Sequence, residues 1–398
     1  MRVFYAEAVY GEEEIEAVTN VLRSNSLALM DGPAVKTFES RISGVFGKPK
    51  GLMVNSGSSA NTLAMASLGL TAGDEVITPA LTFSTTVAPL IQQGLIPAFV
   101  DVEPDTYVID PEQIERLIGP KTRAMIIPNL IGNLANWGRL KEIADKHGLK
   151  TVEDSADTIG SLYQGKPTGI LSDIATTSFY ASHVMTGAGF GGMVCFNDED
   201  LYSRAKQLRG WGRQSSLVGE SEAIEDRFNV KVDGIEYDSK FVFGDIGYNF
   251  LPSEISAAFG LVQLDRLEEY GNRRDKHFKA LCEFFAGYPD WFTLPRQQPD
   301  SKTNWLAVPL IVKPEAPFTR RELQIHFESN DIQTRTVFTG NILRQPGFAN
   351  IEHRADPAGY PNADRIMESG ILLGCHQGLD DKQLDYLYDV FRSLAERS

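Results

Sequence analysis

The sequence predicts an α/β protein built on a mainly parallel sheet, followed by a smaller α+β unit. Three observations lead there. The chain has 398 residues, too many for one small core, which implies two lobes. From about residue 52, short apolar runs alternate with stretches of helical spacing, the pattern of strand–helix–strand crossovers. Residues able to carry chemistry fall directly after those runs, at the strand ends where open parallel sheets bind ligands.

Residues 11–24 and 33–46 place apolar side chains at helical spacing. EVITPA (75–80), IPAFVDV (96–102), RAMIIPN (123–129) and KTVED (150–154) read as strands, with 83–93, 111–117 and 138–147 as the helices between them. Two further strands fall near 174–179 and 192–197. The polar, glycine-punctuated segment 214–240 reads as a long loop, and the helical stretch 253–284 leads out of the first lobe. WLAVPLIV (305–312), a helix at 319–329, IQTR (332–335) and a helix at 380–395 make up the smaller unit. The expected division is 1–285 and 286–398.

Composition narrows the function. The net charge is −15, without a long run of one sign, which argues against nucleic acid or an anionic membrane as partner. No window holds the roughly 18 apolar residues that span a bilayer. The start is acidic and has no apolar stretch of signal-peptide length, so the expected location is the cytoplasm. Cys195, Cys282 and Cys375 form no CxxC pair, which leaves no local zinc or iron–sulfur motif and no metal site to expect.

Five local signals carry chemistry, and each also has a bland reading. NSGSSANTLAMASLGL (55–70) is a small-residue turn opening into a helix, which suits an anion held by backbone N–H groups. It equally suits a plain turn with Ser58 or Ser59 as helix cap. Asp154 ends a buried-looking strand and needs a cationic partner, such as a protonated pyridine, unless it merely caps; Asp157 is placed to meet the same ligand. Phe83 follows a strand and suits stacking on a flat ring or simple core packing. In TTSFYASHVMTGAGFGGMVCF (176–196), Ser178 ends a strand and His183 sits on the connection to the next. A lone loop histidine is more often a packing residue. Asn249 precedes a long helix and suits a turn. What raises the set above its parts is its order along the chain: phosphate turn, aromatic, carboxylate, serine strand, and then His183, 29 positions after Asp154.

With these motifs the sequence resembles the DegT/DnrJ/EryC1/StrS family of sugar aminotransferases, of fold type I among pyridoxal-phosphate enzymes, over nearly its whole length. The resemblance implies a mostly parallel seven-stranded sheet flanked by helices, with a smaller C-terminal α+β domain. It implies that Ser58, Ser59 and Ser178 hold the cofactor phosphate, Phe83 stacks on the ring, and Asp154 pairs with the pyridine nitrogen. Asp157 takes the place usually held by a Gln near the ring hydroxyl. Asn249 would reach the phosphate of a neighbouring subunit, making the active unit a homodimer with shared sites. Arg335, Asn341 and His376 match segments near the sugar.

His183 departs from the aminotransferase pattern, which has Lys there. Imidazole forms no stable covalent link to the cofactor, so pyridoxal or pyridoxamine phosphate would be held noncovalently, while the ring remains a competent base. The same exchange marks the sugar 3-dehydratases of the family, and SFYASHV, RGWGR (209–213), YDSKFVFGDIGYN (237–249), TGNILRQPGF (339–348), NADRIM (362–367) and GCHQGL (374–379) resemble theirs. The resemblance therefore implies loss of the C3 hydroxyl from a nucleotide-linked 4-keto-6-deoxyhexose in deoxysugar biosynthesis, with L-glutamate regenerating the amine form of the cofactor. GDP-4-keto-6-deoxymannose is the favoured substrate; CDP- and dTDP-linked sugars stay open. One branch of these dehydratases carries four cluster cysteines in the region matching 212–236. This chain has none there, so neither an iron–sulfur cluster nor a reductase partner is expected. In the glycine run TGAGFGG no Glu stands where relatives commonly have one. The rivals are ordinary aminotransfer with Lys166 or Lys206 as base, and a binding protein that kept the fold without the chemistry.

Overall fold

The structure is a computed structural model, and it describes residues 1–24, 29–218 and 223–396. A seven-stranded sheet forms its centre. The strands are β1 (Lys50–Val54), β2 (Glu75–Pro79), β3 (Ile96–Val100), β4 (Thr122–Pro128), β5 (Lys150–Asp154), β6 (Ile174–Ser178) and β7 (Gly192–Phe196). Their spatial order is β1-β7-β6-β5-β4-β2-β3, and only β7 runs against its neighbours. The expected fold class holds. Strands buried on both faces read as continuous apolar runs, and alternate residues feed opposite cores. Val76, Ala124, Ile126 and Val152 pack on one side; Ile77, Met125 and Ile127 pack on the other.

Helices α1 (Glu12–Arg23), α2 (Pro33–Val45), α3 (Gly57–Ser67), α4 (Ser84–Gln92), α5 (Trp137–His147) and α6 (Glu199–Arg209) cover the sheet. The expected helix at 111–117 is instead two short 3₁₀ turns, Pro111–Gln113 and Glu115–Leu117, because Pro111 starts a turn capped by Asp110 and too few residues remain before β4. The single helix expected at 253–284 is broken at Arg266 into α7 (Glu254–Asp265) and α8 (Leu267–Ala286). The 214–240 segment is only partly a loop. It contains a hairpin, Val230–Val232 with Ile235–Tyr237, whose Asp233 and Gly234 take positive φ.

Past α8, β8 (Phe292–Thr293), β9 (Ala307–Val312), β10 (Thr334–Thr336) and β11 (Gly370–Gly374) build an antiparallel sheet in the order β8-β9-β11-β10. It is covered by α9 (Arg320–Ser329) and α11 (Asp381–Ala395), with α10 (Pro361–Ser369) against β9 and β11. Its core is continuous with the end of the central sheet: Leu81, Phe99 and Leu130 pack in one cluster with Trp305, Leu310 and Phe391. No helix among the described residues is long and apolar enough to cross a membrane.

One buried charge ties the sheet edge to its helices. Arg209, 3% exposed, donates to Glu39 (3.0 Å), to the Met53 carbonyl (2.8 Å) and to Asp31 (2.8 Å). Burial raises the Glu39 carboxyl to about 7 even against the pull of Arg209. Replacing Arg209 by Ala strands that carboxyl and is expected to cost about 3–5 kcal/mol, read as a lower urea unfolding midpoint.

Candidate active site

Every parallel strand of the central sheet ends at the same edge, and residues just beyond five of those ends, all but that of β3, line a cavity of about 340 Å³. Ser56, Gly57 and Ser58 follow β1; Phe83 follows β2; Pro128 to Leu130 close β4; Asp154 and Asp157 close β5; Ser178 closes β6. Ser182 and His183 enter from the β6–β7 connection, and Leu306 and Phe338 from the smaller sheet.

The turn after β1 is shaped for close approach. Ser56, not Ser58 or Ser59, caps α3, accepting from the Ser59 amide at 3.1 Å. Ser59 therefore turns inward, its hydroxyl 3.0 Å from that of Ser56, and does not line the cavity, whereas Ser58 does. Gly57 has no room for a side chain: a Cβ there would sit 2.8 Å from the Ser178 hydroxyl. Gly192, at the start of β7, faces the Ser56 carbonyl just as closely. The glycines thus bring two strand ends and a helix start together, leaving free amides of α3 beside the Ser58 and Ser178 hydroxyls. That is a cradle for an anion.

Asp154 is buried. One of its oxygens accepts from Asn61 on α3 and Thr86 on α4, both at 2.8 Å, and the other accepts from the Ala156 amide at 3.3 Å. Asn61 is itself oriented by the Thr176 hydroxyl at 2.6 Å. Burial pushes the Asp154 carboxyl above its ordinary value, and the donors pull it back only in part. A buried carboxylate held by neutral donors calls for a cation from the cavity, and a protonated pyridine nitrogen fits that need. Phe83, half exposed and edge-on to Phe338 at 6.1 Å, offers its ring to a flat ligand. Asp157 accepts from the Ile131 amide at 2.9 Å, and burial raises it to about 7. Ile131 holds φ at 62°, which aims that amide at the carboxyl.

The imidazole of His183 has a defined tautomer. Its Nδ1 lies 2.7 Å from the Ala156 carbonyl, an oxygen that only accepts, so Nδ1 carries the proton and Nε2 keeps its lone pair for the cavity. Burial lowers its pKa to about 4, so the ring is neutral at pH 7. No lysine among the described residues lines the cavity. Lys166 lies in the short strand Lys166–Pro167 and Lys206 on α6, both elsewhere.

The remaining candidates lie outside the cavity. Asn249 is exposed and bridges Gly210. Arg335 is exposed, with its guanidinium 5.3 Å from the ring centre of Tyr5, which does line the cavity. Two of them are engaged by the fold. Asn341 caps the turn Ile342–Arg344 and donates to Asp364 at 2.7 Å, which engages both ends of its amide. His376 is fully buried, with Nε2 donating to the Phe4 carbonyl (3.1 Å) and Nδ1 accepting from the Gly378 amide (3.2 Å). Local motif matching brought both close to the site, but their hydrogen bonds are spent on the fold. Asn61, Thr86 and Tyr5 escaped the sequence reading. Asn61 alone left a trace, one helical turn beyond the GSS motif on the buried face of α3.

Fold and site together define an enzyme of a pyridoxal-phosphate-dependent, sugar-modifying class. The DegT/DnrJ/EryC1/StrS aminotransferase family model matches residues 9–392, and the chain belongs to that family. It is 36% identical over 395 residues to a dTDP-4-dehydro-2,6-dideoxy-D-glucose 3-dehydratase of Saccharopolyspora spinosa, covering 96% of this chain and 84% of that one. It is 30% identical to a GDP-4-keto-6-deoxy-D-mannose 3-dehydratase of Yersinia pseudotuberculosis, with 97% of each covered. Among solved structures, an E. coli GDP-4-keto-6-deoxy-D-mannose-3-dehydratase with bound hydrated PLP superposes with a TM-score of 0.87 at 28% identity, over 98% of this chain and all of that one.

Replacing Asp154 by Asn removes the negative charge that a pyridinium needs. Affinity for pyridoxal phosphate is expected to fall at least about tenfold, measured by absorbance titration, with the fold retained in circular dichroism.

Proposed function

We propose that the protein is a sugar 3-dehydratase that removes the C3 hydroxyl of a nucleotide-linked 4-keto-6-deoxyhexose, using pyridoxamine phosphate regenerated by L-glutamate. The observation that carries this reading is His183. It lines the cavity with Nε2 unprotonated, and no described lysine lines that cavity.

The cofactor, when bound, supplies an amine to capture the C4 ketone and an electron sink that lets the C3 hydroxyl depart as water. The chain does the rest. Ser58, Ser178 and the start of α3 hold the phosphate, with Ser59 acting only through its bond to Ser56. Phe83 stacks on the ring, and Asp154 keeps the pyridine nitrogen protonated. Asp157, raised to about 7, exchanges a proton with the ring hydroxyl. His183 Nε2 takes up the proton whose loss drives hydroxyl departure. Loss of the C3 hydroxyl would leave the sugar with an enamine nitrogen at C4, which water hydrolyses to ammonia and a 3-deoxy-4-keto sugar, while L-glutamate replaces the nitrogen consumed.

Asn249, exposed and outside its own chain's cavity, is assigned to the neighbouring subunit's phosphate, giving a homodimer with shared sites. Arg335 is assigned to the substrate side of Tyr5. The chain divides into a cofactor-binding lobe, 1–285, and a smaller lobe, 286–398. The region 212–236 contains no cysteine, which supports a route without an iron–sulfur cluster or reductase. The nucleotide is the open variable. The resemblance favours GDP, while the 36% identical relative is named for a dTDP-linked sugar.

A panel of GDP-, dTDP- and CDP-4-keto-6-deoxyhexoses, supplied with pyridoxal phosphate and glutamate, tests the reading. Ammonia and a 3-deoxy sugar are expected from one of them; a product retaining nitrogen at C4 means aminotransfer instead. His183→Asn is expected to lower water loss at least about a hundredfold while cofactor binding stays intact.

The pH profile gives a further check. The base form of His183 prevails above its lowered pKa, so the acid limb assigned to it should centre near 4 and not at the ordinary 6.5. A second limb near 7 belongs to Asp157 and should vanish in Asp157→Asn.

A further inference from the structure

Arg274, on α8, is fully buried, and its hydrogen bonds all end on neutral oxygens. A buried guanidinium without a contacting carboxylate is costly to keep, and its hydrogen bonds show where it acts. Nε donates to the Gln377 side chain at 2.8 Å. One terminal nitrogen donates to the Trp305 and Leu306 carbonyls at 3.2 and 3.1 Å. The other reaches the His183 carbonyl at 3.4 Å. Gln377, also buried, extends the grip by donating to the Val184 carbonyl at 3.2 Å.

The pattern joins two walls of the cavity. Leu306 and His183 both line it, one arriving from β9 and its approach, the other from the β6–β7 connection. That connection is an irregular loop, where a base is otherwise held less rigidly than on a helix or strand. The planar fork of one arginine can bind carbonyls on two elements at once, which a single ammonium cannot do with the same geometry.

We propose that Arg274, together with Gln377, is the positioning device for His183: it pins the backbone of the base to the neighbouring segment Trp305–Leu306, so that the imidazole stays bonded to Ala156 and presents Nε2 to the cavity. This rests on the reading of His183 as the base. A fixed cation nearby also opposes a second positive charge on the ring, adding to the larger effect of burial. The other titratable groups around the same cavity are Tyr5, Asp154, Asp157 and Tyr180.

The test uses Arg274→Lys, which keeps the charge and loses the fork, and Gln377→Leu, which frees the Val184 carbonyl and leaves Arg274 Nε without its acceptor. Both are expected to lower kcat for water loss by about tenfold or more, the scale on which misplacement of a reacting group acts. KM for the nucleotide sugar and affinity for pyridoxal phosphate should stay within about threefold, since neither side chain lines the cavity. A merely structural role would lower the unfolding midpoint and leave kcat per folded molecule unchanged.

The second readout needs no turnover. In protein without cofactor, labelled with ¹⁵N-histidine, the six imidazoles are resolved by NMR and His183 is assigned by its loss in His183→Asn. The wild-type ring is expected as the Nδ1–H tautomer, with both variants showing tautomer exchange and a higher titration midpoint. Folded variants with wild-type kcat and an unchanged His183 signal overturn the proposal. Should Arg274→Lys fail to fold, Gln377→Leu decides the question by the same measurements. A changed tautomer in a protein that never eliminates water would overturn the dehydratase reading and support the positioning role.

Discussion

A carboxylate buried at the end of β5, supported by an amide and a hydroxyl but by no cation among the described residues, is the constraint around which this molecule is organised. Asp154 is tolerable there only because Asn61 and Thr86 hold one of its oxygens, and each comes from the first turns of a different helix. Those helices must therefore start where they do, which places the turn after β1 and the aromatic at the start of α4 around the same space. Gly57 and Gly192 serve the same end, letting the strand that ends at Ser178 and the turn after β1 meet without side chains between them. The cavity lies where the sheet edge satisfies that one charge, and in the proposed function the same charge meets the protonated ring nitrogen of the cofactor.

Chemistry is decided at a second point, the β6–β7 connection. A lysine here would retain amine and proton on one flexible side chain. The histidine is shorter, rigid and bonded through Nδ1 to a main-chain carbonyl, which leaves Nε2 facing the cavity, and in the proposed function proton transfer there is its one task. In the proposed function that difference separates elimination from amine transfer within one fold. The buried arginine behind the loop extends the same logic: a base with one task gains from being fixed, and the fixing comes from carbonyls gathered around a single guanidinium.

Much of this was legible in the chain. Strands β2 to β7 were readable because burial on both faces leaves apolar runs that need no partner to be recognised, and the glycine and serine signals fell beside them. The strands at Lys50–Val54 and Gly370–Gly374 are not marked in the same way: their pairing comes from segments far off in the chain, 192–196 for the first and 307–311 and 334–336 for the second. The break at Arg266 was invisible because residues on both sides are helix formers, and packing against different cores sets the angle.

What the sequence by itself determined was the fold class and the linear order of a cofactor site ending in His183 where a lysine was expected, because strand burial and local turn chemistry are written in neighbouring residues. What only the tertiary structure decided was which polar side chains point into the cavity. Asn61, Thr86 and Tyr5 do or support those that do, while Asn341 and His376 spend their hydrogen bonds on the fold. The tautomer and lowered pKa of His183 belong to that second group as well. The tautomer comes from a carbonyl 27 residues away in the chain, and the lowered pKa from burial with a smaller push from the Arg274 guanidinium on α8; such long-range contacts have no local signature.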